Sequence, residues 1–117
     1  MRISECRLIQ IPSNGDSRGS LSVIENQRQF LFDMKRIFYI YDVPSGADRG
    51  GHALKTSEQL LIAVSGCFEV VVKDGADCMR YRLDDPSVGL YIPPLVWREM
   101  DQFSEKSVCL VVSSTLY

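Results

Sequence analysis

His52 is the sole histidine in the chain, and it directly follows two glycines, Gly50 and Gly51. Imidazole is neutral and basic near physiological pH, so one such residue can remove a proton and later return it. A glycine pair before it permits a β-bulge or the close approach of a ligand. A lone histidine is more often a surface or core residue than a catalyst, so its neighbours decide. Arg98 ends the apolar stretch Pro93-Pro94-Leu95-Val96-Trp97, and an arginine embedded in such a stretch usually meets a carboxylate or a phosphate. Arg49 precedes the glycines and Arg18 follows a turn; singly, each reads as a solvated side chain. By alternation Ile37, Tyr39 and Tyr41 share one face of a strand and Phe38 and Ile40 the other, where the ordinary expectation for a tyrosine is core packing with its hydroxyl satisfied. The four cysteines, Cys6, Cys67, Cys78 and Cys109, form no CxxC pair, and three sit within or beside apolar runs, as reduced core thiols do. A cysteine nucleophile would need His52 as its base, and nothing in the sequence brings a thiol to it.

Short strands must carry these residues. Arg7 to Pro12 reads as a strand stopped by proline, Ser13 to Gly19 as turn chemistry, and Ser20 to Glu25 as a strand. Gln27 to Lys35 is mixed, with a short helical turn as the expectation. Arg36 to Tyr41 is β-branched and aromatic enough for a strand, and Pro44 to Asp48 is a loop. Gly50 to Lys55, Gln59 to Val64 and Cys67 to Val72 follow, with Ser65-Gly66 between the last two and the hairpin signal Asp74-Gly75 beyond them. Met79 to Leu83, Gly89 to Ile92 and Ser107 to Ser113 complete the set. Eight or more short strands, recurring every 8 to 12 residues with turns between them, predict an all-β sandwich or jelly roll.

At 117 residues the chain is expected to fold as one domain, 1–117. With 45% hydrophobic and 24% charged residues it has the balance of a soluble globule. A formal charge of −2 leaves no basic surplus to meet a phosphate backbone, so nucleic acid is not an expected partner. No apolar run is long enough to cross a bilayer, and Met1-Arg2-Ile3-Ser4-Glu5 opens without a signal-peptide stretch, which predicts a cytoplasmic protein without a membrane partner.

Two segments resemble the paired motifs of the cupins, the double-stranded β-helix jelly rolls. Gly50-Gly51-His52-Ala53-Leu54-Lys55-Thr56-Ser57-Glu58 with Gly66 resembles G…HxH…E…G, and Gly89 to Arg98 resembles G…PxGxxH. In metal-binding cupins two histidines two residues apart face into the barrel and are joined by the glutamate and a last histidine. Here Leu54 and Arg98 stand at two of those positions. Leucine has no donor atom and guanidinium no free lone pair, so only His52 and Glu58 remain, and the expectation is a metal-free, cofactor-free pocket.

Five motifs in register extend the resemblance across nearly the whole chain. They are Asp16-Ser17-Arg18-Gly19, Lys35 to Ile40, Arg49 to Lys55, Gly89 to Ile92 and Trp97-Arg98-Glu99-Met100. Together they resemble the sugar 3,4-ketoisomerases, metal-free cupins that act on dTDP-4-keto-6-deoxyglucose. The resemblance implies a homodimer supplying 3-keto sugars for the aminated deoxysugars of surface polysaccharide, such as O-antigen lipopolysaccharide. It implies His52 as the catalytic base, Tyr39 as an aromatic of the sugar site, and Arg18, Arg49 and Arg98 as arginines of the pocket. Alternation places Arg49 off the face of His52, and Leu54 replaces the second histidine of the family's RGxHAHK motif. The motif is therefore left with one imidazole, His52, to carry the chemistry.

That chemistry is sound for one imidazole. A ketone at C4 acidifies the C3 hydrogen, so a base can remove it and later deliver a proton to C4. The enediolate between the two steps carries negative charge that Arg98, Arg18 or the Tyr39 hydroxyl can stabilise. Arginine forks would hold the pyrophosphate, and thymine would stack on Tyr91 or Trp97. Alternatives are a nucleotide-sugar 3,5-epimerase, a non-catalytic sugar-nucleotide-binding cupin and, last, a metal-dependent oxygenase.

Overall fold

The computed structural model describes residues 2–26 and 32–117. After a 3-10 turn at Ile3–Glu5 come eleven strands: β1 (Arg7–Gln10), β2 (Ser13–Asp16), β3 (Gly19–Ser22), β4 (Arg36–Tyr41), β5 (Arg49–Ala53) and β6 (Gln59–Ser65). They continue with β7 (Phe68–Lys73), β8 (Cys78–Leu83), β9 (Val88–Ile92), β10 (Trp97–Asp101) and β11 (Val108–Ser113). One sheet has the order β1-β9-β6-β11-β4, the facing sheet β5-β10-β7-β8, and β2-β3 forms a separate ribbon. All pairs are antiparallel. This is the expected all-β jelly roll, and among the described residues no helix is long and apolar enough to cross a membrane.

Alternation builds two apolar layers. Leu61, Ala63, Leu90, Ile92, Cys109 and Val111 from the five-stranded sheet meet Phe68, Val70, Val72, Leu83 and Met100 from the other in the main core, with Phe38 and Ile40 packed against it. Leu60, Ile62 and Val112 face the other way and are buried with Ile11 under Ile9, Ile24, Phe32 and Met34. One sheet is therefore covered on both sides, which is why β6 reads as a continuous apolar run.

Two sequence expectations change, and a third lies largely outside the described residues. Ser13–Asp16, read as turn chemistry, is a strand paired with Gly19–Ser22, and only Ser17-Arg18 turns the chain. Both strands of this ribbon are exposed throughout, so no buried face leaves an alternation to read. Trp97–Asp101 is a strand that the sequence reading passed over, because its inward positions are Arg98 and Met100 and an inward arginine breaks the apolar pattern. The helical turn expected within Gln27 to Lys35 falls largely on residues 27–31, outside the described residues; Phe32 to Lys35 are not helical.

Candidate active site

Strand β10 supplies the centre of the site. Arg98 lies opposite Val72 on β7 and opposite His52 on β5, and residues directly opposite in an antiparallel pair project to the same face. Both side chains line a cavity of about 110 Å³ between the sheets, walled by Phe38, Ile40, Leu61, Met100 and Val111. His52 is exposed at its edge, and Arg98 is only 1% exposed.

The glycine pair sets the other inward residue. His52 faces Arg98 and Gly50 faces Glu99, so Gly51 is an extra residue and the pairing carries a β-bulge. Gly50 and Gly51 have φ of 89° and 73°, a conformation costly for any residue with a Cβ. A Cβ on Gly50 would also lie 3.3 Å from the Arg98 carbonyl oxygen and from the Glu99 Cα. Simple alternation would turn Arg49 away from His52. The bulge shifts the parity by one, and Arg49 lines the same cavity. Arg49, Gly50 and His52 also border an open groove of about 430 Å³ with Asp48, Gly51 and Glu99. The cavity thus opens to solvent at the histidine.

Arg98 has an unusual environment. Nη1 donates to Gln59 Oε1 at 2.7 Å and Nη2 to the Val96 carbonyl at 3.2 Å, while buried Nε has no hydrogen-bond partner. Among the described residues no carboxylate pairs with it. Burial pulls its pKa down to about 10, still far above neutrality, so the cavity holds a full positive charge. A buried charge without a counter-ion is costly, and the arrangement suits an anion or a developing oxyanion.

The remaining candidates lie elsewhere in the single chain. Arg18 sits at the tip of the β2-β3 ribbon, its side chain 89% exposed and paired with Asp16 at 2.9 Å. Tyr39 projects from the outer face of β4, 61% exposed and 5.8 Å from the Tyr41 ring, because Phe38 and Ile40 take the inward positions of that strand. Tyr91 belongs to the second apolar layer. Its hydroxyl donates to Glu58 Oε1 at 2.6 Å, and the Arg7 guanidinium lies 5.2 Å from its ring. Burial first, then the Glu58 carboxylate, raises its pKa. Trp97 faces outward from β10 and donates through Nε1 to Glu99 Oε1 at 3.2 Å; its ring lies beside Gly51 at the groove. Leu54 is half-buried and does not line the cavity.

The metal donors of the cupin motif are separated. Glu58 holds the Tyr91 hydroxyl in the outer layer while His52 lines the inner cavity. Among the described residues no three His, Cys, Asp or Glu side chains gather as a metal site would require, so the donor set does not fit a cupin metal. The thiols stand apart as well: burial pushes Cys6 up to about 11 and Cys109 up to about 12, and no cysteine lines the cavity.

Gln59 is the site residue that sequence reading missed. It shares a face of β6 with Leu61 and Ala63, both core residues, so the same alternation that found the strand also turns its amide inward.

A family model described as FdtA: WxcM-like, C-terminal, matches residues 4–117. The chain belongs to this family of sugar 3,4-ketoisomerases. It is 41% identical over 113 residues to the TDP-4-oxo-6-deoxy-alpha-D-glucose-3,4-oxoisomerase of Aneurinibacillus thermoaerophilus, covering 97% of this chain and 81% of that one. The 3,4-ketoisomerase QdtA of Thermoanaerobacterium thermosaccharolyticum, as a histidine-to-asparagine mutant in complex with TDP-4-keto-6-deoxyglucose, superposes with a TM-score of 0.93 at 40% identity, over 96% of this chain and 81% of that one. The WlaRB TDP-quinovose 3,4-ketoisomerase of Campylobacter jejuni gives 0.92 at 38% identity, over 98% and 88%. A dTDP-4-dehydrorhamnose 3,5-epimerase of Bacillus anthracis shares the fold alone, at 17% identity and a TM-score of 0.84 over 100% of this chain and 76% of that one.

Proposed function

We infer that this ketoisomerase-family chain moves the keto group of a dTDP-linked 4-keto-6-deoxyhexose from C4 to C3. The observation that carries the reading is the facing pair His52 and Arg98, a base opposite a buried guanidinium with no carboxylate partner, both lining one cavity. His52 takes the C3 hydrogen as a proton, and the C–H electron pair forms the C3–C4 double bond as charge moves to the C4 oxygen. Arg98 stabilises that enediolate. The C3 hydroxyl proton then passes to the C4 oxygen as the C3 oxygen becomes the new carbonyl, and His52 returns its proton to C4, leaving a hydroxyl there. C3 is oxidised, C4 is reduced by the same two electrons, and no external redox partner is consumed.

The cavity would take the reacting end of the sugar, and the groove beyond His52 the nucleotide. Arg49 would fork onto the pyrophosphate, and the position of Trp97 beside Gly51 supports it over Tyr91 as the aromatic for the base. Four unpaired thiols support a cytoplasmic setting. The 3-keto product is a substrate for transamination, in keeping with a role in deoxyamino sugars of surface polysaccharide. The exposed strip Ile37, Tyr39 and Tyr41 on edge strand β4 supports a homodimer.

Incubating the chain with dTDP-4-keto-6-deoxyglucose in heavy water and following the sugar by NMR tests the reading. The expected result is loss of the C3 proton signal with the carbonyl arriving at C3. Exchange at C3 and C5 with the carbonyl still at C4 would mean an epimerase, and nucleotide binding with no exchange a binding module.

A further inference from the structure

Among the described residues, one side chain accepts a hydrogen bond from the Arg98 guanidinium. Gln59 opens β6 and is 4% exposed, and its Oε1 accepts from Arg98 Nη1 at 2.7 Å, a bond that crosses from one sheet to the other. Among the described residues the only other acceptor on the guanidinium is the carbonyl of Val96, two residues back on its own segment. Gln59 is therefore the sole side chain that fixes the direction of Arg98 among the described residues. It also lines the cavity beside His52.

The chemistry of the acceptor matters as much as its position. A glutamate has nearly the same shape, would reach the same Nη1, and would lower the cost of burying a charge. Protein stability alone would favour it. An amide oxygen orients the guanidinium but leaves its charge uncancelled, and it leaves Nε without a partner inside the core. Such an arrangement stores an unmet demand for negative charge, which a transition state carrying an oxyanion meets and a neutral ground state does not.

We propose that Gln59 is a positioning residue of the ketoisomerase reaction, holding Arg98 toward the cavity through a neutral acceptor so that its full charge acts on the enediolate oxygen. The proposal rests on the reading of the reaction given above. It assigns Gln59 no contact with the reacting atoms; its effect passes through Arg98.

The test compares the native chain with Gln59→Glu and Gln59→Leu, reading deuterium exchange at C3 of the 4-keto sugar nucleotide, kcat and KM for its turnover, affinity for dTDP and the melting temperature. Gln59→Glu is expected to lose about a hundredfold in kcat and in exchange, with KM and dTDP affinity changed by less than about threefold and the melting temperature equal or raised. A purely structural glutamine predicts the reverse, a lowered melting temperature without a selective loss in kcat. Gln59→Glu exchanging at the native rate overturns the proposal while leaving the reaction intact. Absence of exchange in the native chain overturns the reaction, and the proposal with it. Should Gln59→Glu fail to fold, Gln59→Leu decides: a loss of kcat of tenfold or more at an unchanged KM is expected, and an unchanged kcat overturns the assignment.

Discussion

Burial alone draws the Arg98 guanidinium down to about pKa 10, and the two hydrogen bonds it makes go to neutral oxygens. A core does not gain stability from such a residue, since replacing a buried charge with an apolar side chain of similar length is often neutral or stabilising. Arg98→Met is therefore predicted to raise stability by about 1–3 kcal/mol in urea unfolding while lowering the C3 exchange rate by about 10²–10³-fold. Loss of both together would make Arg98 a structural residue. Much of this residue was legible in sequence, because it ends an apolar run where a cupin carries a metal ligand. Its acceptor was not: Gln59 gives no signal by type, only by its phase on β6. Tyr39 shows the converse limit, as its motif suggests the sugar site while the parity of β4 sends Phe38 and Ile40 inward and Tyr39 out.

At the scale of elements, the turns hold the strands in the register the site needs. Asp74, in the β7–β8 turn, accepts from the backbone N–H groups of Ile3 at 2.8 Å, Ala76 at 2.9 Å and Asp77 at 2.8 Å, tying the first residues of the chain to the four-stranded sheet. These bonds, that from Ile3 foremost, lower its pKa to about 2, against about 3.9 for a free aspartate. The unfolded chain binds the extra proton between those values, so this stabilisation is complete above about pH 4 and is lost as the pH falls toward 2. Asp74→Asn should accordingly unfold at lower urea than the native chain at pH 7, and the two midpoints should converge near pH 2. A constant difference across that range would contradict the assignment. The Asp74-Gly75 hairpin was readable because turn chemistry is local. The bulge at Gly50-Gly51 was readable only as a possibility, since its effect on Arg49 depends on how β5 pairs with β10, a contact between segments about fifty residues apart. Strand β10 itself escaped notice because Arg98 puts a charge where the apolar pattern needed a core residue.

For the molecule as a whole, two sheets enclose a cavity that shares Arg49, Gly50 and His52 with the open groove, and the outer face of β4 carries exposed Tyr39 and Tyr41. Sedimentation equilibrium is expected to give twice the chain mass, with Tyr39→Lys/Tyr41→Lys shifting it toward the monomer; a native monomer at micromolar concentration would contradict the dimer. The sheets supply the enclosed space, and Arg49, His52 and Arg98 on two adjacent strands line it. The central claim is that a single imidazole, His52, carries the proton between C3 and C4. Deuterium incorporation at C3 of dTDP-4-keto-6-deoxyglucose, measured by NMR for the native chain and for His52→Asn, tests it most directly. The account predicts exchange by the native chain, and in His52→Asn a loss of at least about a hundredfold with dTDP affinity retained. Exchange by His52→Asn at the native rate would contradict it.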